Sequence, residues 1–188
     1  TEHFQHMRGC RATSGTLSVS RGVWEQSMTF IAKDITIPAT STGDGGTPVY
    51  TTTETTSSPI VHSDGGGNPF TWNTVNYGER SFSTTVTRNM AVMAVNGEND
   101  ITYTKANDRS ITFTADVFAG TASNTTSMYT DYEGKTKRAA SYKFTSSPSK
   151  TLTFANAIIT DCSQTHAAGS TDALIESITC RAESCTNV

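Results

Sequence analysis

Alternation of apolar and polar positions dominates the second half of the chain. From Ser81 to Arg88, Phe82, Thr84 and Val86 fall on one face; from Arg109 to Phe118, Ile111, Phe113, Ala115 and Val117 point one way and Thr112, Thr114 and Asp116 the other. A period of two predicts half-buried β-strands. Met90 to Val95 is a short apolar run stopped by Asn96-Gly97, a strong turn dipeptide. Ile101 to Lys105 reads as its own strand, separated from the next by Ala106-Asn107-Asp108. Further strands are expected at Arg138 to Thr145, Lys150 to Asp161 and Asp172 to Glu183. In the first third, Thr16 to Ser20 alternates, and Val23 to Ile37 forms a richer segment that Pro38 stops, since proline cannot donate to a ladder.

One segment fits a helix, Ser123 to Lys135. Thr125 or Thr126 can cap it, Met128, Tyr129 and Tyr132 supply an apolar stripe, and Gly134 can end it. The strand spacing is that of an antiparallel β-sandwich or barrel interrupted by one helix. Between Ala39 and Asn68 the pattern dissolves into Thr and Ser punctuated by Gly43, Gly45, Gly46, Pro48, Pro59, Gly65, Gly66 and Gly67. Thirty such residues cannot pack a core of their own. The expected organisation is therefore one mainly-β domain over 1–188, with an N-terminal tail at 1–13 and a long loop or hairpin arm at about 39–72.

Composition supports the strands. The chain has 35 threonines and 21 serines among 188 residues, with a hydrophobic fraction of 35%. Threonine's branched Cβ suits a pleated surface better than a helix. The net charge of -3 argues against a phosphate-gripping face. The densest basic run, Lys135, Thr136, Lys137 and Arg138, reads as a solvated strand end. No stretch approaches the roughly 18 apolar residues of a membrane span. Thr1 is small enough to follow a removed initiator methionine, which favours synthesis in a cytosol, although a cleaved precursor would look the same.

Catalytic spacing is not found. His3, His6, His62 and His166 stand in no metal-ligating pattern, and no nucleophile elbow, phosphate loop or dinucleotide fingerprint occurs. Asp116, Asp131, Glu133, Asp161 and Glu176 read as solvated surface rather than a glycosidase pair. Trp24 and Trp72 read as core or interface anchors. Neither catalytic residue, cofactor nor metal is expected.

Cys10, Cys162, Cys180 and Cys185 are an even number, which invites pairing. Cys180 and Cys185 would stand about 16 Å apart on an extended segment, beyond the reach of a bridge. A hairpin centred near Ala167 would set Cys162 opposite Asp172 and Cys180 opposite Phe154. Bonds between subunits are one expectation for these four cysteines; free thiols in a reducing cytosol are the other.

The order of segments from Arg109 to Glu183 resembles phage tail tube proteins. A strand Ser110-Ile-Thr-Phe-Thr-Ala-Asp-Val-Phe118 leads to the short helix near Thr126 to Tyr132. A strand at Ala139 to Phe144 follows, then Lys150-Thr-Leu-Thr-Phe-Ala-Asn-Ala-Ile-Ile-Thr-Asp161 and a closing strand Ala173-Leu-Ile-Glu-Ser-Ile-Thr-Cys-Arg-Ala-Glu183. The cysteines depart from the usual pattern of that family. The resemblance implies a β-sandwich protomer with a flanking helix, six of which close a ring, and rings that stack around a DNA channel. It implies as partners the chain itself, a tail sheath, a tail terminator and baseplate or tip proteins, with DNA passing unbound and no membrane. Its place would be the virion tail, made in the bacterial cytoplasm. Thr112, Thr114 and Asp116 would face the lumen, and Val49, Tyr50, Ile60, Val61, Phe70 and Trp72 would touch the adjacent ring. The rival readings are the tube of a contractile secretion system, a capsid decoration protein, or an extracellular adhesin or sugar-binding module.

Overall fold

The computed structural model describes residues 6–20, 23–36, 69–94, 101–118, 122–146, 149–165 and 175–187. Twelve strands and one helix occupy them. The strands are β1 (His6–Arg8), β2 (Arg11–Ser20), β3 (Val23–Ile31), β4 (Asp34–Thr36), β5 (Phe70–Trp72), β6 (Val75–Tyr77), β7 (Glu79–Ala94) and β8 (Ile101–Phe118). After the helix α1 (Ala122–Glu133) come β9 (Arg138–Ser146), β10 (Ser149–Thr165), β11 (Ile175–Ala182) and β12 (Ser184–Asn187). The fold is mainly β with one short helix, as the alternation predicts. The main sheet runs β3-β2-β7-β8-β11-β10-β9-β5-β6, with β12 on β10, and β1 pairs β4 separately.

Several boundaries differ from expectation. Ser81–Arg88 and the run that begins at Met90 lie in one strand, β7, as far as Ala94, and Ala106-Asn107-Asp108 does not interrupt β8, which runs unbroken over 18 residues. Val23–Ile37 is broken after Ile31, and β4 follows. The helix begins at Ala122, so Thr125 and Thr126 lie inside it rather than capping it. The segment expected as a tail, 1–13, holds β1 and the start of β2.

Two compact units divide the chain: Thr1–Ser14, Met28–Ser58 and Arg88–Arg109 form one, and Gly15–Ser27, Pro59–Thr87 and Ser110–Val188 the other. In the first, β1 and β4 pair antiparallel with Met7 opposite Ile35. Gly9 links β1 to β2 at φ +62, and a Cβ there would stand 2.8 Å from the Cβ of Lys33. Both the backbone conformation and the space therefore require glycine. Thr13 donates its hydroxyl to the carbonyl of Thr29 at 3.2 Å.

The second unit holds the core. Phe82 on β7 stacks on Tyr142 of β9 with centroids 4.2 Å apart, although β8, β11 and β10 lie between their strands in the sheet. The sheet must curl until its apolar face meets itself, the geometry of a sandwich or small barrel. Phe113 and Phe154 meet at 4.5 Å, and Phe70 packs against Tyr77, Phe82 and Phe113. At the other end of the order, β6 passes through Gly78 directly into β7, and the amide of Phe118 donates to the Gly78 carbonyl at 2.8 Å. β10 makes the bend. Its first part pairs β9 and β12 and its last part pairs β11; an extra residue near Asn156, at φ 50, sits close to the change of partner, and another, Thr160, lies within the pairing with β11. Such bulges increase local twist, and asparagine tolerates the left-handed conformation they need.

Candidate assembly surface

The strands that bury their apolar phase inward must present the other phase outward. On β8, Ile111, Phe113, Ala115 and Val117 are each 1% exposed or less, so Thr112, Thr114 and Asp116 lie on the opposite face, as their alternation predicts. Their partners across β11 are Arg181, Thr179 and Ser177. On the other side, β7 buries Phe82 and Thr84 and turns Ser81, Ser83, Thr85 and Thr87 outward. Across β2, the hydroxyl of Thr16 meets that of Thr85 at 3.2 Å. Four neighbouring strands thus offer a field of hydroxyls, bounded by the Phe118–Ile175 pair at one end of β8 and β11 and by Ile158 where it reaches β10. Thr16, Ser18, Glu25, Gln26 and Ser27 line a shallow hollow at its margin.

Asp116 is the field's central charge. One oxygen accepts the Ser177 hydroxyl and the other the Ser81 hydroxyl, both at 2.7 Å, so a single carboxylate ties β7, β8 and β11. Hydroxyls of this density hold water and neither pack like a core nor grip phosphate. Arg181 is the one cation at these β7, β8 and β11 positions.

Two carboxylates expected at the surface, Asp131 and Glu176, are found inside, and Glu79 is buried with them. Asp131, on α1, is 3% exposed; it accepts the Trp72 indole N–H at 3.0 Å and a fork from Arg138, whose Nη2 is 2.9 Å away. These bonds tie the helix to β5 and β9 while it packs on β10; Met128 and Asp131 are buried and Tyr129 is exposed. The basic run is correspondingly engaged. Lys135 sits 4.3 Å from the Tyr132 ring centroid, Lys137 pairs with Glu183, and Arg138 holds Asp131. Glu79 is buried beside Tyr142, whose hydroxyl donates to it at 2.7 Å, and desolvation pushes its carboxyl up to about 7. Glu176 is fully buried and accepts the Cys162 thiol at 3.2 Å; burial raises its pKa above the carboxylate range.

Phe70 and Trp72 are fully buried on β5, so they are core residues and not contacts to an adjacent ring; the arm cannot extend through them. Val49, Tyr50, Ile60 and Val61 lie outside the described residues. All four cysteines are free. Cys162 stands opposite Ile178 rather than Asp172, and Cys180 opposite Ile159 rather than Phe154, because β11 starts at Ile175 and Thr160 is an added residue on β10. Cys180 is sealed in the core, beyond a neighbour's reach, and burial raises its pKa. Burial, then the adjoining Glu176, push Cys162 up to about 12. Cys185 is half-buried opposite Phe154, and Cys10 is exposed.

No family model and no curated protein sequence matches the chain. Solved structures do. A chain of the anti-feeding prophage baseplate, six-fold symmetrised, aligns at TM-score 0.51 and 16% identity over 64% of this chain and 89% of that one. A chain of the extracellular contractile injection system PVC sheath-tube complex aligns at 0.49 and 16% identity, over 64% and 86%. Hcp1 from Flavobacterium johnsoniae aligns at 0.39 and 17% identity, over 64% and 93%. The curled sheet with its bent β10 and single docked helix is thus a fold shared with a chain of the anti-feeding prophage baseplate.

Proposed function

We propose that the chain is the structural, non-catalytic subunit of a phage tail tube, six copies forming a ring and rings stacking around a channel that conducts DNA. The hydroxyl field on β2, β7, β8 and β11 carries this reading. A channel wide enough for a duplex has a hydrated lumen, so its wall needs polar side chains where a closed barrel would need packed apolar ones. A wall without a cationic cluster lets DNA move, because no condensed counterions are displaced by tight phosphate contacts. The six-fold symmetry of the baseplate that shares the fold supports six copies. Sheath, terminator and baseplate proteins are the partners such a tube would need, and the virion tail its place.

Electron microscopy of the purified chain at rising concentration tests the proposal. Hollow tubes or stacked rings are expected; a chain that stays monomeric at high concentration overturns it.

A second reading is favoured by one observation, the fold shared with a chain of the anti-feeding prophage baseplate: the tube of a contractile secretion system, its channel carrying a cargo other than DNA. Nuclease digestion of particles discriminates, since a DNA-filled channel protects its nucleic acid. Of the four cysteines, Cys10 is the one exposed for a bond between subunits. Non-reducing electrophoresis of the assembly would then show dimers that Cys10→Ser abolishes; monomer bands alone would exclude the bond.

A further inference from the structure

Where β10 bends, the sheet brings a lysine, a glutamate and an asparagine together. Asn156 lies at the bulge, at φ 50. On one side of it Ala157 stands opposite Arg138 of β9, which sets Lys137 beside the bulge. On the other side Ala155 stands opposite Ser184 of β12, and the amide of Glu183 donates to the Ala155 carbonyl at 3.2 Å. The Glu183 carboxylate then spans the two side chains. One oxygen accepts from the Lys137 ammonium at 2.5 Å and the other from the Asn156 side-chain N–H at 2.8 Å.

An exposed lysine–glutamate pair is ordinarily a solvated ion pair that adds little to stability. The asparagine changes what the pair can do. A lysine amine is a nucleophile once it is neutral, and a side-chain amide carbon is an electrophile whose leaving nitrogen must be protonated. One carboxylate bonded to both can carry protons between them. Lys137 first, and Asn156 after it, hold the Glu183 carboxyl below its ordinary range, so it rests as the carboxylate that can accept a proton. The strand pairing keeps both reactants beside one bulge, the proximity that makes such a step intramolecular. The side chains of Lys137 and Glu183 are 58% and 55% exposed, which leaves a released ammonia an open exit.

We propose that Lys137 and Asn156 join through an isopeptide bond whose formation Glu183 promotes. The Lys137 ammonium gives a proton to Glu183, and its nitrogen attacks Asn156 Cγ to form the new C–N bond. Glu183 returns the proton to Nδ2 as the Cγ–Nδ2 bond breaks, and ammonia leaves. Net, a lysine ammonium and a primary amide become a secondary amide and an ammonium ion, with no oxidant or other reactant. The bond staples the β10 bend to the start of β9 within one chain, so it stands apart from the assembly reading. Intact-mass spectrometry of the purified chain, fresh and after prolonged incubation, tests it. Wild type is expected to fall below its sequence mass by one ammonia, with tryptic peptides linked through Lys137 and Asn156. Lys137→Arg keeps the charge and is expected to hold its full mass; a loss that persists there is cyclisation of an asparagine and overturns the bond. Glu183→Gln is expected to slow the loss about 100-fold or more; a rate equal to wild type overturns the part assigned to Glu183. Wild type that keeps its full mass throughout overturns the proposal outright.

Discussion

Glu79 shows how a single residue couples burial to acidity. Its carboxyl is pushed up to about 7 chiefly by desolvation, with Asp116 adding repulsion and the Tyr142 hydroxyl acting in the opposite direction. Below the ordinary carboxylate pKa of 4.5 the group is protonated in folded and unfolded chains alike, so it adds no pH dependence there. Between that value and about 7 the unfolded chain ionises first, and stability falls as pH rises. Above about 7 the full cost remains, on the order of 3 kcal/mol. Thermal melts of Glu79→Gln across this range should lack that decline, whereas a variant that tracks wild type at every pH would contradict the assignment. Asp131 is the complementary case. Asp131→Ala strands the Trp72 indole N–H in the core and releases the Arg138 fork, and should cost about 2–3 kcal/mol in a denaturant titration. Thiol titration separates the cysteines: Cys10 should react at once in the folded chain and Cys180 only on unfolding.

Among the elements, β7 and β8 carry both faces of the molecule's logic. Their inner phase supplies Phe82 and Phe113, and their outer phase the hydroxyls. Phe82→Ala removes a ring that touches Trp24, Phe70, Phe113, Tyr142 and Phe154, and should lower stability by about 3–5 kcal/mol. A loss under 1 kcal/mol in the same denaturant titration would mean that the sheet does not close there. The outward position of Thr112, Thr114 and Asp116 was legible because alternation in β8 is strict. The continuity of β8 through Ala106-Asn107-Asp108 was not, since weak strand formers were overridden by tertiary pairing. Glu176 left a signal that was passed over: it stands in phase with Ile178, Cys180 and Ala182, the apolar phase of β11. Asp131, three residues after Met128, also falls on the buried side of its helix, but its partner Trp72 is 59 residues distant and no local pattern announces it. Phe70 and Trp72 were misplaced because the Gly- and Pro-rich run before them masks a three-residue strand.

At the scale of the whole molecule, the described residues gather one aromatic core and set threonines and serines on the outward phase of β2, β7, β8 and β11, while Met28, Phe30, Phe118 and Tyr129 remain exposed. That division makes little sense for an isolated monomer, which could mix lysine and glutamate across its surface for solubility, but it suits a wall facing confined water. The order of segments in the last third of the chain resembles tail tube proteins, and the alignment to a chain of the anti-feeding prophage baseplate shows a shared fold over 64% of the chain. What no sequence pattern could supply was the curling that brings β7 against β9, because it depends on bends in β10. The central claim is that the hydroxyl field lines a channel, and a cryo-electron microscopy reconstruction of the assembled chain tests it most directly. Thr112, Thr114 and Asp116 are predicted to face an open lumen in every subunit; a map that buries them against a neighbour, or turns them to the outside, would contradict it.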